Sequence, residues 1–300
     1  MLRIGRRRRA AKRICTDGSV TMRKTKAFTL IELLVVIAIV AILLAILIPA
    51  LNIAKKQAAG IICMANLNGM GKAWAQYIDD NDARLCNGHV PRDAQYASEG
   101  YWQSTTGFGG PYDDNAWWVD PPHNQQGTYT GDPVPCPLED EDLGNSTGTL
   151  ASYLGGTKIL HCPADRTYLF SAGRGGKRTY SIQDLMHGER PRDPKCADKF
   201  NEIITPGDKF VFLENTDDRG WNMGSWMLNY GSWQTTPASW IDTMAVFHND
   251  RNTFCFADGH AEKHKWEDGT TISAAGRTSL APNLGRDLDW LSARYVPGRR

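Results

Sequence analysis

The chain has 300 residues, 41% of them hydrophobic, with 34 basic and 33 acidic side chains, which is enough apolar material for a real core in one large or two small domains. The near-neutral balance averages two unlike parts: residues 1–27 hold ten basic side chains against one acid, Asp17, and the remainder holds 24 against 32. An acidic body behind a basic stub argues against nucleic acid as a partner, because phosphate binding needs basic residues clustered on a folded surface.

The stub leads into KTKAFTLIELLVVIAIVAILLAILIPAL, Lys24 to Leu51. Phe28 to Ile48 is an apolar run of 21 residues, which at about 1.5 Å per residue matches a hydrocarbon core of about 30 Å. Lys and Arg ahead of such a span hold that side in the cytoplasm and send the C-terminal part across the membrane. The run carries one acid, Glu32. A carboxylate in a membrane helix costs on the order of 2.5–3.5 kcal/mol at the bilayer centre and less toward the interface, so Glu32 calls for a function.

After Pro49 the apolar residues Ile53, Ile61, Leu67, Met70, Trp74, Tyr77 and Ile78 recur at roughly helical spacing, which predicts that the helix continues over 49–82 and packs one side on a domain. Lys55, Lys56, Gln57, Asn68, Lys72 and Gln76 are expected to face water, and Gly60, Gly69 and Gly71 to weaken the middle of the helix. Residues 86–149 show no clear period and are rich in Gly, Pro, Asn, Asp and aromatics, a composition that predicts long ordered loops with short strands. Thr157 to Asp165 (TKILHCPAD) reads as a short strand ending in a Cys-Pro turn, and Asp208 to Thr216 (DKFVFLENT) as a buried strand. Met244 to Trp266 alternates in short strands broken at Asn249–Asn252 and at Asp258–Gly259, as in an antiparallel meander. The fold class expected is α+β, a long N-terminal helix packed on a small antiparallel sheet with long irregular loops.

Cys63, Cys86, Cys136, Cys162, Cys196 and Cys255 follow the apolar span. In an oxidising compartment six cysteines suit disulfides in any of 15 connectivities, and buried free thiols suit them equally. No CxxC spacing occurs, so a zinc knuckle is not expected. His248, Asp258, His260 and His264 suggest a metal site, but the segment reads as strand and turn rather than as the helix that would bring an i, i+4 histidine pair onto one face. No metal is therefore expected there. Neither a nucleophile elbow, nor a phosphate-binding loop, nor a His-Glu-x-x-His helix is present, and a structural rather than an enzymatic role is expected.

The Lys26 to Leu51 stretch closely resembles the N-terminus of type IV prepilins and type II secretion pseudopilins. The resemblance implies cleavage by prepilin peptidase between Ala27 and Phe28, N-methylation of Phe28, and a basic leader over 1–27. A complete leader, MRKTKA, also begins at Met22. Where this chain has Ala27 the family usually has Gly. In a filament, the resemblance implies, Glu32 meets the Phe28 ammonium of a neighbouring subunit, and Pro49 sits where the helix often bends. Large pseudopilin-like families also share the Cys-x-x-Asn-Leu pattern at Cys63, Asn66 and Leu67, the Cys-Pro at Cys162 and Pro163, and an H-x9-DG motif, here His248, Asp258 and Gly259. Cys63 with Cys162 is the disulfide these patterns suggest.

The protein implied is a single-pass inner-membrane subunit of a type II secretion pseudopilus or type IV pilus-like filament. Its N-terminus would be cytoplasmic, and the domain over 83–300 periplasmic or in a surface filament. Its partners would be prepilin peptidase, other pilin or pseudopilin subunits and an inner-membrane assembly platform. No cofactor is expected. The resemblance allows calcium on loop carboxylates, at Asp217 and Asp218 or at Glu139 to Asp142, though solvated loops suit those acids better. A rival reading is a displayed glycan- or ligand-binding protein whose Trp-rich regions, 101–130 and 221–240, stack on sugars.

Overall fold

A computed structural model describes residues 28–90, 117–131, 136–166, 176–188, 190, 193–216, 222, 224–231, 238–242, 244–275 and 284–298. The leader with Ala27, the tryptophans Trp102, Trp221 and Trp233, and the pair Asp217 and Asp218 lie outside these residues.

The first element is α1, Leu30–Asp80, with Pro49 inside it. The chain divides at that proline into two compact units, Met1–Pro49 and Ala50–Arg300. In the first unit the apolar side chains are exposed throughout, from Phe28 through Ile48, and the helix is long and apolar enough to cross a membrane. Sixteen Phe, Leu, Ile and Val residues in this stretch, at about 0.3–0.6 kcal/mol each, favour insertion by roughly 5–10 kcal/mol, which outweighs the cost of one terminal acid.

In the second unit α1 buries Gly60, Cys63, Leu67, Met70, Gly71, Ala73, Trp74, Tyr77 and Ile78. Ile53 and Ile61, expected on that side, are instead 53% and 67% exposed, because the helix buries a full stripe only from Cys63 onward. The helical glycines also have a use beyond weakening the helix. A Cβ at Gly60 would lie 3.2 Å from the His248 ring and 2.5 Å from Lys263 Nζ, and one at Gly71 would lie 2.6 Å from Cys255 Sγ. At Gly60 and Gly71 the absence of a side chain lets α1 lie close against the β6–β7 hairpin and the segment before it.

The sheet has the order β3-β1-β2-β6-β7: β1 is Tyr180–Gln183, β2 Phe210–Glu214, β3 Ser225–Trp226, β6 Arg251–Phe256 and β7 Ala261–Lys265. Three pairings are antiparallel, and the β1–β3 edge is parallel. A separate two-stranded ribbon joins β4 (Leu228–Asn229) to β5 (Ser239–Trp240). The strands β1, β2 and β3 and most of β6 are buried, while the edge strand β7 is only partly so. Tyr180, Ile182, Phe212 and Cys255 belong to the cluster that includes the α1 stripe, whereas Phe210, Leu213, Phe254 and Phe256 pack with Trp226, Trp266, Leu288, Leu291 and Tyr295. The β2–β6 register shifts between Phe210 and Phe212, and this irregularity puts both Val211 and Phe212 in the α1 cluster while Phe210 and Leu213 join the other.

Several local expectations are corrected. Residues 157–165 hold a 3₁₀ turn, Thr157–Leu160, where a strand was expected. The supposed loop region contains α2, Leu138–Thr147, whose first turn is acidic, as the positive end of a helix dipole favours. A short α3, Ala151–Leu154, follows it. Met244 to His248 is irregular, and only the β6–β7 hairpin realises the expected meander. The break before β6 is narrower than expected: Asn249 and Asp250 take positive φ (55° and 59°), and Arg251 already lies in the strand. The C-terminal region adds α4, Gly269–Ala274, and α5, Arg286–Tyr295.

Trp118 and Trp226 are fully buried and Trp240 nearly so. Among the described residues of the Trp-rich regions these three tryptophans belong to the core, while Trp117 and Tyr129 are half-buried.

Candidate assembly segment and a buried cysteine–histidine cluster

The first functional element is local. Thr29 precedes α1 and Glu32 is its third residue, and Glu32 Oε2 accepts hydrogen bonds from the Thr29 N–H (2.9 Å) and the Thr29 hydroxyl (2.7 Å). The Glu32 N–H donates back to Thr29 Oγ1 at 3.3 Å. This is a capping box, which satisfies backbone donors that a helix end would otherwise leave open. The signal was present in the sequence as Thr29-Leu30-Ile31-Glu32. It explains how an acid is tolerated at the head of an apolar helix, where an unsatisfied N–H in hydrocarbon costs several kcal/mol.

The H-x9-DG residues do not form one site. Asp258 and Gly259 make the β6–β7 turn: Asp258 Oδ1 accepts from the His260 N–H at 3.1 Å and lies 2.6 Å from His260 Nδ1, and Gly259 takes φ +90°. His260 stacks on Phe256 and His264 on Trp290, so neither histidine joins His248. His248 itself reaches α1, with Nδ1 3.3 Å from the Lys56 carbonyl. The motif touches the helix at both ends, His248 beside Gly60 and Gly259 beside Gly71. Both pairs of residues are eleven apart in sequence, about 16 Å along the helix axis.

His248 and three other chemically active side chains converge. Cys63 Sγ and Cys162 Sγ face each other at 2.8 Å, Cys162 Sγ is 3.5 Å from His248 Nε2, and His248 Nε2 is 2.8 Å from Glu214 Oε1. All four residues are buried, with the four donor atoms within 4.8 Å of one another. Cys63 and Cys162 are free thiols here, so the two cysteines expected as a disulfide meet without a bond. Asn66 donates to the His161 carbonyl (3.2 Å) and to the Tyr180 hydroxyl (3.4 Å), Leu67 fills the core, and Pro163 carries the exposed turn.

The electrostatics follow from crowding. The hydrogen bond with Cys162 holds the Cys63 thiol below its ordinary pKa, while burial pushes Cys162 up. Burial opposes charge on His248, but hydrogen bonds with Cys63 and Glu214, and the Glu214 charge, outweigh it and raise its pKa to about 9. Burial, then the Glu214 charge, raises Tyr180.

Glu214 escaped the sequence reading. It ends an otherwise apolar strand, FVFLE, and alternation puts it on the same face as Phe212. Two of the four acids of the run Glu139 to Asp142 are engaged by protein: Glu141 is buried and accepts the N–H groups of Lys177 (2.8 Å) and Arg178 (3.1 Å), and Asp142 pairs with the Lys177 ammonium.

Comparison with known proteins bears on the N-terminal segment. Residues 22–48 match the prokaryotic N-terminal methylation motif. Over 66 residues, 22% of this chain and 50% of the relative, the sequence is 50% identical to the type IV wide pilus major component PilA4 of Thermus thermophilus, so the chain spans half the length of that curated relative. No solved structure matches. The chain thus carries a prepilin-type N-terminal segment, an apolar, self-capped helix headed by a methylation motif and similar in sequence to the type IV pilin.

Proposed function

We propose that this protein is a structural subunit of a filament of the type IV pilus or type II secretion pseudopilus kind, matured by prepilin peptidase between Ala27 and Phe28. One observation carries the reading: a methylation motif heads a helix whose apolar residues from Phe28 to Ile48 are exposed among the described residues. Lipid covers such a surface before assembly, and the helices of other pilin subunits cover it afterward. The basic residues ahead of it keep the N-terminus cytoplasmic, so the domain after Pro49 is exported to the periplasm or carried on a surface filament. Both Thr29 bonds fall on Glu32 Oε2. Oε1 is therefore the oxygen left for the Phe28 ammonium of a neighbour, a pairing that fixes stagger because a mismatched register buries a charge. An inner-membrane assembly platform would supply the site of extraction.

The test is intact mass and N-terminal sequencing of the full chain extracted from membranes containing a prepilin peptidase. An N-methylphenylalanine start at Phe28 is expected. A retained leader would mean that Ala27 blocks processing and would overturn the assignment.

A further inference from the structure

We propose that Cys63, Cys162, His248 and Glu214 form a closed tetrahedral site for a zinc-class divalent cation that fastens α1 to the sheet. The four donors come from α1, the Cys-Pro turn, the end of β2 and the segment before β6, and their donor atoms lie within 4.8 Å of one another. With zinc–sulfur distances of about 2.3 Å and zinc–nitrogen or zinc–oxygen distances of about 2.0–2.2 Å, the edges of a tetrahedral site measure roughly 3.3–3.8 Å. The 3.5 Å between Cys162 Sγ and His248 Nε2 already fits. The two 2.8 Å contacts, sulfur to sulfur and Nε2 to Oε1, open by about 1 Å or less when an ion enters between them.

The surroundings orient the donors as metal ligands are oriented. The contact of His248 Nδ1 with the Lys56 carbonyl holds a ring proton there, so that when an ion displaces the Nε2 proton shared with Glu214 the Nε2 lone pair faces the cluster. Glu214 Oε2 accepts the Thr253 N–H at 2.9 Å, which holds the carboxylate and leaves Oε1 for the ion. Cys162 Sγ accepts the Ala164 N–H at 3.4 Å, a bond that steadies a thiolate.

The donor set selects the ion. Two thiolates and an imidazole suit zinc and disfavour calcium and magnesium, which take oxygen ligands. Four protein ligands closed from solvent leave no open position, so the role is structural rather than catalytic. Binding is balanced by release of the Cys63 and Cys162 thiol protons, and of any proton on His248 Nε2, to water. The site lies wholly within the second unit and does not depend on the filament reading.

The experiment uses the full chain purified in detergent, with metal content measured by mass spectrometry and thiols mapped by alkylation before and after chelation. About one zinc per chain is expected, with Cys63 and Cys162 resisting alkylation under native conditions until chelator is added. Zinc-edge absorption should show two sulfur neighbours at about 2.3 Å. Cys63→Ser and His248→Ala should lose the metal, and Cys136→Ser should keep it. Should Cys63→Ser or His248→Ala fail to fold, cobalt substitution of the unaltered chain gives the same answer through the sulfur-to-cobalt bands of a tetrahedral ion. A Cys63–Cys162 disulfide without metal overturns the proposal, as do free thiols that take up no zinc on reconstitution.

Discussion

The close packing of α1 at Gly71 against the β6–β7 turn gives a prediction whose sign is set by magnitudes. Gly69→Ala and Gly71→Ala each improve helix propensity by about 1 kcal/mol. At Gly69 the new methyl would lie 2.5 Å from Ile159 Cδ1, the far end of a half-buried side chain that can rotate away. At Gly71 it would lie 2.6 Å from Cys255 Sγ and 3.2 and 3.3 Å from the Cα and carbonyl oxygen of Gly259, so helix and turn must separate. Overpacking of that kind costs about 1–3 kcal/mol. Gly69→Ala should therefore be neutral or stabilising by up to about 1 kcal/mol. Since the propensity gain is common to both, Gly71→Ala should fall below it by about 1–3 kcal/mol, each kcal/mol being worth about 2–4 °C in a domain of this size. Thermal unfolding of the detergent-solubilised full chain, followed by tryptophan fluorescence, reads the folded domain, with Trp74, one turn along α1 and edge-on against Phe200 at 6.0 Å, among the reporters. A Gly71→Ala chain that melts at or above Gly69→Ala would refute the claim that this glycine is required for docking.

Glu32→Ala should abolish or strongly reduce incorporation into filaments while leaving the melting temperature of the domain after Pro49 unchanged; normal incorporation, scored by shearing and immunoblotting, would remove the register role. Arg190 donates to Asp184, to the Leu228 carbonyl (2.9 Å) and to the Tyr295 hydroxyl (2.7 Å), and Asp184 is fully buried. Arg190→Met should cost about 3–5 kcal/mol in urea unfolding, and the double variant Asp184→Leu with Arg190→Met should recover much of it; equal losses would show that the buried charge is not the cause. His264 lies flat on Trp290 with ring centroids 3.7 Å apart, and burial holds its pKa below the ordinary 6.5 despite the nearby Asp287. The unfolded chain then binds the proton first, so this residue's contribution to stability falls as pH drops from about 6.5 through the lowered folded value. His264→Gln should flatten that part of the pH–stability curve, and an unchanged slope would contradict the assignment.

The elements legible in sequence are those whose physics is local. A 21-residue apolar run reports its own solvent, Thr29 and Glu32 cap a helix over three residues, and Asp258–Gly259 announces a hairpin turn by backbone preference alone. The same local rules misread Thr157–Leu160 and overlooked Leu138–Thr147, because short elements take their form from what they pack against. Helical spacing also marked Leu67, Met70 and Trp74 as inward-facing without showing what would lie opposite. Tertiary structure alone brings together Cys63 and Cys162, 99 positions apart, and joins His248 to Glu214, 34 positions away, on a strand whose only polar residue is that acid. Alternation along a strand gives the face on which a side chain emerges, and only the packing of helix on sheet gives its neighbours.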